Sequence, residues 1–98
     1  HPGNASAHHA LGLSLVRQNQ KARALAPLRR AAQLEPENAR FAYVVAVLLE
    51  NSGQVGQAIA ILEKALQANP ADRDAANALR LYCSKSANAR CPEKYKPN

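Results

Sequence analysis

Pro36 and Pro70 stand 34 residues apart, and the residues ahead of each align as two copies of one pattern. The first copy runs from Ala5 to Asn38 and the second from Ala39 to Asp72. In this register Leu11 matches Val45, Gly12 matches Ala46 and Leu15 matches Leu49. Further on, Ala24 matches Ala58, Leu28 matches Leu62 and Ala31 matches Ala65. A period of this length belongs to stacked helical arrays, in which each unit buries its apolar face only against its neighbours. The question of function therefore shifts from catalysis in a pocket to recognition on a surface.

The period and its punctuation predict an all-α chain of five helices. The first covers about Ala5 to Gln18 with Asn4 as N-cap, and Leu11, Leu15 and Val16 recur at helical spacing. A polar turn at Asn19-Gln20 leads to a second helix ending near Leu34. Pro27 falls inside it and removes a backbone donor, which predicts a kink there or a later start. Pro36 stops that helix and Asn38 caps the third, which ends at Ser52-Gly53, where glycine accepts the left-handed conformation. The fourth spans about Gln54 to Ala68 and is closed by Asn69-Pro70, after which Asp72 caps a fifth over Arg73 to Lys85. Arg73, Asn77, Arg80 and Ser84 form a polar stripe on that last helix, as a capping element of an array requires. The expected divisions are an N-terminal extension (1–4), repeat one (5–38), repeat two (39–72), a capping helix (73–85) and an irregular basic tail (86–98).

Composition narrows the chemistry. With three Tyr, one Phe and neither Trp nor Met, the core must be built from Ala, Leu, Val and Ile. The longest apolar run, Phe41 to Leu49, falls far short of the roughly 20 residues of a membrane span. Net charge is +6, and Arg17, Lys21, Arg23, Arg29 and Arg30 are interrupted by no acidic residue. Such a balance suits an acidic partner, but the stretch lacks the interleaved aromatics of a nucleic-acid surface, so a solvated helix face is the simpler reading. The chain opens His1-Pro2-Gly3 without Met or a charged-then-apolar leader, which reads as a processed product or a fragment of a longer protein.

Catalytic and metal-binding constellations are not suggested. His8 and His9 diverge by about 100° on a helix and have no third ligand at helical spacing, so His8 is expected to pack and His9 to face outward. No Gly-rich phosphate loop or Ser/His/acid set is present, and Glu35 and Glu37 flank Pro36 as turn residues. The expectation is a protein that is not an enzyme and carries no cofactor. Cys83 and Cys91 match neither zinc-knuckle nor haem-attachment spacing. Two readings stand: a disulfide stapling the tail to the last helix, or a buried Cys83 acting as a small hydrophobe. The first implies an oxidising, periplasmic location and the second a cytoplasmic one.

These residues resemble the tetratricopeptide repeat (TPR) family. Its first helix pairs a large aliphatic with a small residue, here Leu11-Gly12 and Val45-Ala46. Its second helix carries Ala, a bulky residue and Ala before a closing Pro. Those are Ala24, Leu28, Ala31 and Pro36, then Ala58, Leu62, Ala65 and Pro70. The sequence departs where the family usually has an aromatic (His8, Ala42) and a tyrosine (Leu15, Leu49). The resemblance implies an α-solenoid of two helix-turn-helix repeats and a capping helix, acting as a non-catalytic protein–protein interaction module. It also implies a concave groove on the first helix of each pair, with His9, Leu13, Arg17, Arg40, Tyr43, Val47, Asn77 and Leu81 facing a peptide or protein partner. The Lys and Asn set with which some members clamp a chaperone's C-terminal carboxylate is missing: His9, Leu13, Val44, Asp74 and Ala78 stand there. The wording ALGLSLVRQ and YVVAVLLENSGQ is similar to TPR segments appended to bacterial multi-domain proteins, multihaem cytochromes among them. Self-association as a homodimer and a spacer or docking arm within a multi-domain protein, including a redox protein, are the alternatives. A basic nucleic-acid module ranks below both.

Overall fold

Three helix starts are set by one device recurring at the repeat interval. The Oδ1 atoms of Asn4, Asn38 and Asp72 accept hydrogen bonds from the backbone N–H of Ala7, Phe41 and Ala75 at 3.1, 3.2 and 2.8 Å. Each satisfies a donor that the first helical turn would otherwise leave unpaired. The computed structural model describes residues 3–85 and 91–95. Five helices follow: α1 (Ala5–Arg17), α2 (Lys21–Leu34), α3 (Ala39–Asn51), α4 (Val55–Ala68) and α5 (Arg73–Lys85).

The turns within the two pairs are also copies. Asn19 and Gly53 occupy matched positions with φ of 61° and 84°. In both turns the next residue reaches back to the last helical turn: Gln20 N–H donates to the Leu15 carbonyl and Gln54 N–H to the Leu49 carbonyl, each at 2.8 Å. This left-handed C-terminal closure lets α2 fold back on α1, and α4 on α3, through a very short connection. Between pairs, the Asn69 side-chain amide donates to the Glu37 carbonyl, tying the turn after α4 to the turn after α2. Arg29 Nη2 donates to Gln57 Oε1 at 2.5 Å and links α2 to α4.

The core lies along the inner faces of these pairs. Ala24, Leu28 and Ala31 are fully buried, as are their counterparts Ala58, Leu62 and Ala65. Small residues at the crossings let the backbones approach closely. Gly12 shows how closely: a Cβ placed there would lie 2.5 Å from Leu28 Cδ2 and nearer still to Cγ. Leu11 is 53 % exposed, although its counterparts Val45 and Leu79 are fully buried on helices that each have a pair stacked before them.

Of the two outcomes expected at Pro27, the later start does not occur: α2 runs as one helix from Lys21 to Leu34. The proline forfeits one hydrogen bond to the Arg23 carbonyl, while burial of Ala24, Leu28 and Ala31 holds the turns on either side against the core. The tail contributes to the core. Glu93–Tyr95 form a 3-10 turn, and Tyr95 is only 8 % exposed and joins the core cluster with Leu66, Leu79 and Cys83. The Arg80 guanidinium and Lys94 ammonium lie 5.5 and 5.7 Å from the centre of its ring, within cation–π range. Cys83 and Cys91 form a disulfide with a Cα–Cα distance of 5.9 Å, which places this turn against α5. The remainder of the expected extension and tail, residues 1–2, 86–90 and 96–98, lies outside the described residues. The predicted stripe Arg73, Asn77, Arg80 and Ser84 is exposed, and Ala75, Leu79 and Tyr82 are buried beneath it.

Candidate partner-binding groove

The first helices of the pairs carry more apolar surface than the core covers. Leu13 and Val16 on α1 and Tyr43, Val44, Val47 and Leu48 on α3 surround a hollow of about 370 Å³, with Lys21 and Asn51 on its rim. On α3, residues 44, 47, 48 and 51 are spaced by three, one and three, which puts them on one helical face. Tyr43 and Val44 also line a second hollow of about 140 Å³, completed by Arg40, Asp72 and Asp74. The two hollows therefore share a wall, and Tyr43, 37 % exposed, stands in it.

The expected groove residues distribute unevenly over this surface. Leu13, Tyr43 and Val47 line the larger hollow, and Arg40 joins Tyr43 in the smaller one. Arg17 is exposed in the last turn of α1, outside both linings. Asn77 and Leu81 are exposed on α5 and also stand apart from them; Asn77 Oδ1 accepts from Arg80 Nη1 at 3.2 Å. Lys21, Val44, Leu48 and Asp72 belong to the linings although the groove pattern did not include them. The spacing of 44 and 48 with Val47 carried a signal for two of these. Lys21 comes from a second helix, and no rule confined to first helices reaches it.

His9 requires a correction. It does not face outward: it is 7 % exposed and its ring stacks on Phe41 with centroids 4.3 Å apart and planes 26° from parallel. His8, expected to pack, is the more exposed of the pair. Neither imidazole nitrogen of His9 has a hydrogen-bond partner among the described residues. Burial, and next the nearby Arg40 guanidinium, hold its pKa below the ordinary 6.5. The folded chain thus favours the neutral ring, while the unfolded chain protonates near the ordinary value. Stability from this site is complete above that value and falls as pH drops through 6.5 towards the lower folded value. Denaturant unfolding at pH 7.5 and pH 5 is expected to show wild type losing more stability than His9→Leu across the same interval. Equal losses would mean that His9 is solvated.

Lys85 Nζ pairs with Glu50 Oε2 at 3.0 Å and joins α5 to α3. Burial, then Glu50, then Tyr43 push the pKa of the Tyr82 hydroxyl up, so it stays protonated beneath the groove wall. No described helix is long and apolar enough to cross a membrane.

Two matched helix pairs, a fifth stacked helix and small residues at each crossing define a helical repeat protein with an open groove on its first helices. The family model for the tetratricopeptide repeat matches residues 9–73, more than half of the chain, and the chain belongs to that family. TPR repeats are in general protein-interaction modules and are typically non-catalytic. No curated protein matches the chain.

Proposed function

We propose that this chain binds a peptide or protein segment in the groove formed by α1 and α3, with Tyr43 as its central contact. One observation carries the reading: aliphatic side chains from two helices surround a hollow that the fold leaves open, with a tyrosine half out of its wall. Open apolar concavities rimmed by polar groups are where ligands seat, and Tyr and Arg are the residue types that most often dominate binding energy. The bond between Cys83 and Cys91 supports an oxidising, extracytoplasmic setting for this interaction.

The test is a pull-down from bacterial lysate with wild type and with Tyr43→Ala plus Arg40→Ala as baits. Arg40 is exposed and Tyr43 stands only partly in the wall, outside the buried core, so the fold is expected to survive, and circular dichroism checks it. A partner held by wild type and lost by the double variant is the expected result. Identical captures from both baits would remove the groove from consideration.

A further inference from the structure

The charges around the groove are not mixed evenly. Lys21 stands on the rim of the larger hollow, and no carboxylate among the described residues lies within ion-pair distance of it. Arg17, exposed in the last turn of α1 and outside the lining, carries a further positive charge four residues before Lys21. At the other end the smaller hollow holds two carboxylates, Asp72 and Asp74, against one cation, Arg40, with no ion pair formed among the three. Asp72 spends one oxygen on the Ala75 N–H and keeps the other. Asp74, in the first turn of α5, complements the helix dipole, and its exposed carboxylate still has no cation in ion-pair distance among the described residues. Between these ends lies the aliphatic floor of Leu13, Val16, Val44 and Val47.

We propose that the groove selects a segment of mixed charge: an aliphatic side chain in the larger hollow, an acidic residue on the Lys21 side and a basic residue on the Asp72–Asp74 side. This inference rests on the groove reading and adds the class of its ligand. Net charge alone makes a different prediction. A chain of +6 attracts any acidic peptide, whereas a groove with opposite ends favours a segment that matches both of them.

Three acetylated ten-residue peptides with one central Leu-Val pair serve as probes. The first carries glutamates on one arm and lysines on the other, the second glutamates on both, and the third lysines on both. They are titrated into ¹⁵N-labelled protein at low salt, with amide shifts as readout. Exposed pairs are weak individually, so the mixed peptide is expected to bind about threefold or more tightly than either single-sign peptide. Lys21→Glu is expected to move the optimum to the all-basic peptide, and Asp74→Lys to the all-acidic one. Asp74→Asn should lower the preference for the basic arm without reversing it, and it guards against a fold change in the Lys variant. The inference is overturned if the all-acidic peptide binds wild type best, or if the ranking ignores the substitutions. Shifts at Leu13, Tyr43 and Val47 without a charge preference would overturn this inference alone. If no peptide shifts those amides, the groove reading fails and takes this one with it.

Discussion

Leu28→Ala is expected to lower the unfolding free energy by about 2–5 kcal/mol, because a fully buried leucine is removed from the meeting point of α1 and α2. In a chain of this size each kcal/mol moves the melting temperature by about 4–8 °C, so the variant should melt at least about 8 °C lower. Gly12→Ala attacks the same contact from the other side. Its methyl would overlap Leu28 Cγ and Cδ2, at a cost of about 1–3 kcal/mol, against a helix-propensity gain of about 1 kcal/mol. The overlap wins because the atom in the way is the branch point of a buried side chain and not a mobile tip. Combining the two changes puts a new methyl where side-chain volume was removed, so the double variant should lose less than the sum. Repeat two carries Ala46 at the position matched to Gly12, fully buried in the same core cluster as Leu62, so a methyl is accommodated there. Thermal and denaturant unfolding of the four proteins checks this. Strict additivity, or a neutral Gly12→Ala, would show slack at a crossing that the structure shows as closed.

Opening the disulfide is the second large effect. Reduction by a dithiol, or Cys83→Ser with Cys91→Ser, should cost about 2.5 kcal/mol in the chain-entropy picture of so short a loop. The local consequence is larger than that figure suggests. Ordering residues 91–95 against α5 costs about 1–2 kcal/mol per residue, whereas burying Tyr95 returns only about 2–3 kcal/mol. Without the staple the ordering cost wins, so the turn leaves and the apolar surface of Leu66 and Leu79 opens. Hydrogen exchange along α5 should therefore speed up on reduction, together with a melting point lower by about 10 °C or more. Unchanged protection of α5 in the reduced protein would show that Tyr95 and its two flanking cations hold the turn by themselves.

The groove was legible in the sequence only where the repeat itself carried the signal. Leu13 and Val47 sit at matched positions of α1 and α3, and the resemblance to the TPR family assigned them and Tyr43 to the groove. The charged rim was not, because Lys21 approaches from the second helix of a pair and Asp72 from a cap, outside the first-helix positions that the resemblance names. His9 was misplaced for a related reason. Which of two adjacent histidines is buried depends on where Phe41, in the second repeat, brings its ring. Tyr95 gave no periodic signal in an otherwise polar tail, and only its packing against α4 and α5 shows that it belongs to the core.

The sequence by itself determined the period, the caps at Asn4, Asn38 and Asp72, the crossings at Gly12 and Ala46, and membership of the TPR family. These are local: hydrogen bonds within a turn and side-chain sizes that recur every repeat, so one chain read in register suffices. Tertiary structure decided which histidine is buried, that α2 continues past Pro27, that residues 91–95 pack against α5, and how the charges divide along the groove. Each of those depends on surfaces meeting from distant segments, and there packing outweighs what the local residues would do alone.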